Sequence, residues 1–589
     1  MADAELRSSG IYGLFRLDGA PVAAGDPCAL GMDVPETPIS WLIEGHDQHA
    51  PTAVHRHADG GGITLLVGEI TGAEDLAALL GLLRGAPKAQ IAQAALKRFG
   101  SETPAHLLGE WSLLHRAVDG RLTLMVSPAR RDRLHFAVVG AKVAVAPDLF
   151  RLARIDWIGA GLDEAGLLFA LGNGDLRRGR GERTMLARVR QLEPGSSVVI
   201  DLTGRVERRT CEVLTPQPSW RGTFADALAE SEALLRTIMR ERLADNARLG
   251  LLLSGGLDSS LLAWLASEER SNGQALQVIS SAAPIESGLP DETGFAAQVT
   301  DHLGLTCSRV AADWAADIYR PPLAVLSGAS GPPLSNRHCL TEAFQIAAKA
   351  GGVSLLVNGT YGEMTATARL PATGLVRRLR RGAAKIHHAL RGANEGLAQG
   401  NQFHVRLAPH LAANLPEPIQ AALARPREPL MLVPERSGLL GYLPGAAKSL
   451  GHPNEFYPGA LRMDFPFRNL RLFRLFAGFP IDMLLKGGDD RPVVRAMLAG
   501  RLPDSIRLRR HGMPAEPDHN QRLQRQAIAA HARVAAFRRA EVGDWLDLDW
   551  LDAALRRIAA QGVASIEEGN EVQLTAITAE FLNWWRTRT

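Results

Sequence analysis

Cysteine is scarce: Cys28, Cys211, Cys307 and Cys339 are the only four, and no two form a CxxC pair. That spacing supports neither a disulfide framework nor a zinc site. Long apolar runs are missing as well, since no stretch approaches the roughly 20 uninterrupted apolar residues of a membrane span. The opening MADAELRSSG lacks the basic-then-apolar pattern of a secretory signal. Neither sign of charge dominates: 66 basic and 63 acidic residues leave a net charge of +3. With no appended basic module, nucleic acid is not the expected partner. These absences make a cytoplasmic enzyme with no membrane partner the expectation. What the chain does have is length and an ordinary globular composition, 589 residues with 46% hydrophobic and 22% charged. That is enough for about two to four domains with large cores.

The first 200 residues read as β-rich with short helices. Strand-like segments recur as IYGLFRL, GITLLVGEI, EWSLLHRA, RLTLMVS, LHFAVVG, AKVAVAP and SSVVIDL, several separated by turn signals such as Asp119-Gly120 and Thr203-Gly204. RVERRTCEVLTPQPSWRG is polar, carries two prolines and reads as a linker over 206–222. From 223 the pattern changes to long amphipathic helices with all-apolar strands between them. QALQVISSAA and GVSLLVNG are two such strands, and strands alternating with helices imply a parallel sheet with right-handed crossovers. From about 410 the chain reads as mostly helical and ends in ITAEFLNWWRT, whose Trp584-Trp585 pair is expected to anchor the last helix in the core.

The segment LGLLLSGGLDSS (249–260) carries the clearest chemistry. An apolar strand breaks at Ser254-Gly255-Gly256, and a helix begins after Asp258-Ser259-Ser260. Such a turn directs free backbone N–H groups and the positive end of a helix dipole at one point, which suits an anion. Gly255 and Gly256 can take positive φ and admit a phosphate close to the main chain. Ser254, Ser259 and Ser260 add hydroxyls, and Asp258 can cap the helix or hold a magnesium ion. A Walker A loop would need a lysine after its last glycine, and none is present. In an open parallel sheet, ligands bind beyond the carboxyl ends of the strands, where this loop falls.

SGGxDS resembles the PP-loop of ATP pyrophosphatases, which cleave ATP between its α- and β-phosphates and pass AMP to a substrate oxygen. With that loop placed, nearly the whole chain resembles the asparagine synthetase superfamily. SGIYGLFRLDG is similar to the family opening CGIxGxFxxDG, and LLGEWSLLHRAVDGRLTLMVSPARRDRLHFAV echoes its later glutaminase signature. LLVNGTYGEM falls at LSGxGxDE, FPFRNLRLFRLFAGFP at PFLDxRLVEF, and DRPVVRAMLAGRLPDSIRLRR at EKxxLRxxxxxxLPxxVxxR. The resemblance implies an α/β protein in two parts. Residues 1–205 would form a vestigial Ntn-type, glutaminase-like β-sandwich of α+β class. Residues 223–589 would form a parallel-sheet PP-loop synthetase domain with a helical C-terminal part. It also assigns Ser281 and Gly359 to the ATP site, together with Ser254, Gly255, Gly256, Asp258, Ser259 and Ser260, and makes ATP and Mg2+ the cofactors.

Four departures from the family pattern narrow the reading. The glutaminase nucleophile is an N-terminal cysteine whose own amine acts as base, whereas the aligned residue here is Ser9, inside the chain, so glutamine hydrolysis is not expected. The Asp-Glu pair becomes Glu363-Met364, leaving Glu363 to bind Mg2+ beside Asp258. The lysine becomes Arg491, followed by Arg495; a guanidinium stays protonated and serves as electrostatic stabiliser rather than base. Thr360 stands where β-lactam-forming relatives have a tyrosine, and Tyr361 is one residue out. This combination, with the run from Gly487-Gly488 to Asp504, is most similar to lasso-peptide cyclases, or macrolactam synthetases.

The resemblance therefore implies that Arg491, Asp258 and Glu363 are catalytic, that the substrate is a precursor peptide, and that a leader peptidase or leader-recognition protein is a partner. An amide synthetase for a small molecule and a non-catalytic scaffold of a biosynthetic complex remain open at this stage. Asp291-Glu292 is read as either support for the ATP site or an ordinary helix start, and HRH at 55–57 as a solvated loop. The basic run LVRRLRRGAAKIHHALRG (375–392) is read as a solvated face.

Overall fold

Period-two alternation in the first half builds two stacked antiparallel sheets. A computed structural model describes residues 9–46, 54–129, 133–173, 176–177, 179–211, 220–244, 246, 248–328, 331–366, 402–425, 461–484, 491–509, 512 and 514–588. The strands are β1 (Gly10–Arg16), β2 (Trp41–His46), β3 (Val54–Asp59), β4 (Gly62–Ile70), β5 (Gly109–Arg116), β6 (Leu122–Val126), β7 (His135–Val139), β8 (Lys142–Ala146), β9 (Arg190–Gln191), β10 (Ser196–Ile200) and β11 (Val206–Thr210). One sheet runs β2-β1-β8-β7-β9, the other β11-β10-β6-β5-β4-β3. In β1, Ile11 and Phe15 face the second sheet, where they meet Leu65, Leu114 and Leu124. Tyr12 and Leu14 face the opposite way, into a helical layer. The outer face of the second sheet is covered in turn by the helix Lys88–Phe99 through Ile91, Ala92 and Ala95. The result is a sandwich with helices on both sides, the architecture expected for this half.

All seven strand-like segments of the sequence are strands. Two polar stretches read otherwise need correction. HRH lies in β3, paired with β4, rather than in a loop. Val206–Thr210, taken as the beginning of the linker, is the edge strand β11, paired with β10. Both are edge strands, where solvated side chains erase the apolar half of the alternation.

The second half is a five-stranded parallel sheet in the order β14-β13-β12-β15-β16, from β12 (Arg248–Leu252), β13 (Ala275–Ser281), β14 (Cys307–Val310), β15 (Leu355–Val357) and β16 (Met463–Asp464). Leu249 and Leu251 of the central strand pack with Leu235 and Ile238 of the helix Phe224–Ala244 and with Leu261 and Leu265 of the helix Leu257–Glu269. The C-terminal helices His519–His531, Leu548–Gln561 and Ile566–Arg588 return to the sandwich. There Trp584 packs against Phe150 at a centroid distance of 4.7 Å with the rings tilted, so the tryptophan pair is a core anchor, as expected. Among the described residues no helix is long and apolar enough to cross a membrane.

The helix His519–His531 buries an unusual amount of charge. Arg522 is inaccessible, with Glu516 3.7 Å from its guanidinium. Burial raises the Glu516 carboxyl from 4.5 to about 7, against the pull of Arg522 and Arg337. A carboxyl raised on folding contributes stability in full below its unfolded pKa and loses that contribution as pH rises through the folded value. Glu516→Gln should therefore stabilise the protein at pH 8, by up to about 3 kcal/mol, and be nearly neutral at about pH 4. Thermal melts of both proteins across that interval check it; a gain independent of pH would contradict it.

Candidate active site

β12 ends at the middle of the parallel sheet, and the chain turns through residues 254–256 into the helix Leu257–Glu269. Leu253 N–H still donates to Ile279 O of the neighbouring strand (2.9 Å), so the turn starts from a fixed position. Gly255 has φ +67°, and a Cβ there would lie 2.5 Å from Phe295 Cβ. Glycine is thus required twice, by conformation and by space. Gly256 has φ −81° and precedes the helix in extended conformation, so the positive φ expected of both glycines belongs to Gly255 alone. The helical ladder begins with Ser260 N–H to Gly256 O (3.0 Å), which leaves the amides of Leu257 and Asp258 outside it at the helix N-terminus.

The hydroxyls brace this turn. Ser254 Oγ and Ser259 Oγ are 3.1 Å apart, Ser254 N–H donates to Ser259 Oγ (3.2 Å), and Gly256 N–H donates to Ser254 Oγ (3.3 Å). Ser254 is exposed, as a nucleotide contact must be. Ser260 is different: it is fully buried and its hydroxyl has no hydrogen-bond partner among the described residues, so the structure removes it from the surface that a nucleotide could touch.

Asp258 occupies the first turn of the helix, and Arg491 Nη1 lies 3.7 Å from its Oδ1. Arg491 is nearly buried and has φ +59°, an uncommon conformation for a non-glycine residue, immediately before the helix Pro492–Met497. The segment after β15 closes from the other side. A Cβ on Gly359 would lie 2.9 Å from Ser259 N, so Gly359 lets this loop rest directly on the helix N-terminus. Its role in the structure is close backbone approach. Tyr361 follows with φ +74°, its ring edge-on to Phe465 at 5.4 Å, and begins the turn Gly362–Met364 that carries the half-buried Glu363. Asp258 and Glu363 are thus carried by two segments in contact. Thr360 bonds Asn358 Oδ1 through both its N–H and its hydroxyl. Ser281 ends β13 beside β12, at the same carboxyl edge of the sheet. Gly487 and Gly488 lie outside the described residues, as does the basic run 375–392.

Sequence reasoning passed over Arg509. Its Nη1 donates to the carbonyls of Ser254 (3.4 Å) and Gly255 (3.1 Å), its Nη2 to Glu292 Oε1, and its guanidinium lies 4.0 Å from the Phe295 ring centroid. One side chain therefore fixes the carbonyl side of the loop, leaving its amides turned elsewhere. The signal was present as the last residue of the LPDSIRLR run. Arg495 acts one step behind, donating to Arg507 O and to Arg509 O (3.2 Å), which makes it a brace for the Arg509 turn. Asp291 and Glu292 divide the two readings given to them. Asp291 accepts from Thr293 and Ala283 at the helix start; burial opposes its ionisation, but these bonds outweigh it and hold its carboxyl below the usual range. Glu292 supports the loop through Arg509. Arg509→Gln should lower kcat/KM for ATP at least roughly tenfold, about 1.4 kcal/mol, with the circular dichroism spectrum unchanged; steady-state kinetics check it.

Among the described residues no group of three or more His, Cys, Asp or Glu side chains forms a metal cluster. In the sandwich, Ser9 is buried immediately before β1 and follows Ser8 through a peptide bond, so its nitrogen is an amide.

The asparagine synthase family model matches residues 230–336 and 460–586. The match supports the asparagine synthetase superfamily. It spans the Ser254–Asp258 loop together with Arg491, Arg495 and Arg509, and supports an ATP-dependent, amide-forming ligase. No curated protein matches the chain. Among solved structures, the chain is similar to the glutamine phosphoribosylpyrophosphate amidotransferase from B. subtilis complexed with ADP and GMP, at 10% identity and a TM-score of 0.23, over 54% of this chain and 77% of that one. A structure titled as the allosteric regulatory enzyme of purine biosynthesis matches at 10% identity and a TM-score of 0.23, over 53% and 82%.

Proposed function

We propose that the protein is a macrolactam synthetase of the lasso-peptide type, which adenylates an Asp or Glu side-chain carboxylate of a precursor peptide and closes an isopeptide bond with the peptide's N-terminal amine. The observation that carries this reading is the braced loop Ser254–Asp258 at a helix N-terminus, with Arg491 beside Asp258. A free carboxylate does not form an amide spontaneously in water, so it needs a leaving group. In the proposed reaction a carboxylate oxygen attacks the α-phosphorus of ATP, and the bond to the bridging oxygen of the β-phosphate breaks to release pyrophosphate. The N-terminal amine then attacks the acyl carbon and expels AMP, losing a proton to solvent.

The loop amides and Ser254 would hold the departing pyrophosphate, and Arg491 would offset charge on the adenylate. Asp258 and Glu363 would hold Mg2+, which when bound neutralises phosphate charge. Cysteine is absent at position 9, and the nitrogen of Ser9 is an amide; both support an amine supplied by the substrate rather than ammonia from glutamine. Confinement of the two peptide ends would do much of the rest, since oriented intramolecular geometry is worth roughly 7–11 kcal/mol. A leader-recognition partner is part of the proposal.

The test is incubation of the protein, Mg-ATP and a candidate precursor with and without such a partner. The expected product has lost one water and resists aminopeptidase, with AMP formed stoichiometrically. Wild-type protein should release no glutamate from glutamine; measurable release in a coupled glutamate assay would overturn the claim for the N-terminal half.

A further inference from the structure

A cavity of about 450 Å³ lies between the sandwich and the parallel-sheet half, apart from the PP-loop. The sandwich contributes the ends of β4 and β5, including Glu69 and Glu110. The other half contributes the end of the helix Phe224–Ala244, β16 and the start of the helix Leu470–Gly478. Its volume falls in the range of small-molecule sites.

The charges around it balance in pairs. Lys88 meets Glu69, and Arg468 meets Glu110 at 3.1 Å across the two halves. Arg242 meets Asp464 at 2.9 Å, and Arg471 meets Glu241 at 2.6 Å. Every acid on the wall is taken, and one base is left over. Arg462 forms no ion pair among the described residues, and its Nε is buried without a hydrogen bond, although its charge adds to the field at Asp464. Glu110 is the complement: Oε1 accepts from Arg468, while Oε2 is buried and accepts from nothing among the described residues. Buried polar atoms are nearly always satisfied by protein, water or ligand, so one wall offers an unused donor and another an unused acceptor.

We propose that this cavity binds a small zwitterion of amino-acid or dipeptide size, its carboxylate on Arg462 and its N–H group on Glu110. A doubly charged phosphate fits poorly, because a single spare guanidinium would face it among four carboxylates. A carboxylate matches that one charge, and an ammonium or amide N–H satisfies the orphaned oxygen. The assignment does not rest on the reaction proposed above and is tested by binding alone.

Isothermal titration calorimetry of the full-length protein with L-glutamate, L-aspartate, glycylglycine and glutarate provides the test. At least one of the three amine-bearing probes should bind, more tightly than glutarate, which lacks the amine. Arg462→Met should weaken that binding at least tenfold, Arg462→Lys should lose less, and Asp258→Asn should leave it unchanged. Failure of all three amine-bearing probes to bind wild type would mean that water alone fills the cavity, and the proposal falls. It falls equally if the binding survives Arg462→Met or disappears with Asp258→Asn.

Discussion

Asp258→Ala should reduce ATP-dependent product formation by roughly 10³-fold, about 4 kcal/mol of transition-state stabilisation. The carboxylate sits in the first turn of the loop helix with Arg491 3.7 Å away. Its loss removes a proposed metal ligand and the carboxylate that faces the nearly buried Arg491 guanidinium. Folding should survive, because an acid in the first helical turn contributes only about 0.3–1 kcal/mol through the helix dipole. Asp258→Asn separates charge from shape: it keeps the side-chain volume and should be nearly as inactive. Pyrophosphate release assayed with saturating precursor and Mg-ATP reads both variants. Full activity in Asp258→Ala would remove the mechanism.

Gly255→Ala should be almost as damaging, for a different reason. The residue has φ +67°, and the added Cβ would lie 2.5 Å from Phe295 Cβ and 2.8 Å from the Phe295 carbonyl carbon. A left-handed conformation costs a non-glycine residue about 1–2 kcal/mol, and the backbone contact cannot be relieved by rotating a side chain. The loop has to move off Phe295, and with it the carbonyls that Arg509 grips. A fall in kcat of about 100-fold or more is expected, given how steeply rate depends on sub-ångström placement. The neighbouring Gly256→Ala is the control. Its φ is −81°, and among the described residues its Cβ would meet only Ser254 Oγ, at 3.2 Å, so its effect should be several times smaller. Equal losses in the two variants would show that space at Phe295 is not what the loop depends on.

The loop was legible in the sequence because its signature is local: strand, glycine turn and helix start occupy a dozen consecutive residues. The seven apolar strands of the sandwich were legible for the same reason. What escaped depends on distance along the chain or on short length. Arg509 reaches the loop across 254 positions, and only the folded chain shows which carbonyls it grips. β14 and β16 have four and two residues, too few for a periodic pattern to register. β3 and β11 are polar edges, so one was read as loop and the other as the start of a linker. Ser260 belongs to the motif by spelling, yet helix periodicity turns it into the core, 100° round from Ser259 on a helix of 3.6 residues per turn. The Arg468–Glu110 contact between halves pairs residues 358 positions apart, which no local pattern encodes.

The central claim is that ATP activates a carboxylate by transfer of AMP. It is tested most directly with a precursor peptide whose acceptor side-chain carboxylate carries ¹⁸O. If the carboxylate attacks the α-phosphorus and the amine then expels AMP, one labelled oxygen leaves with the nucleotide, and mass spectrometry finds ¹⁸O in AMP beside unlabelled pyrophosphate. Label in inorganic phosphate with ADP as the nucleotide product would contradict the account, because the cleavage would then lie between the β- and γ-phosphates.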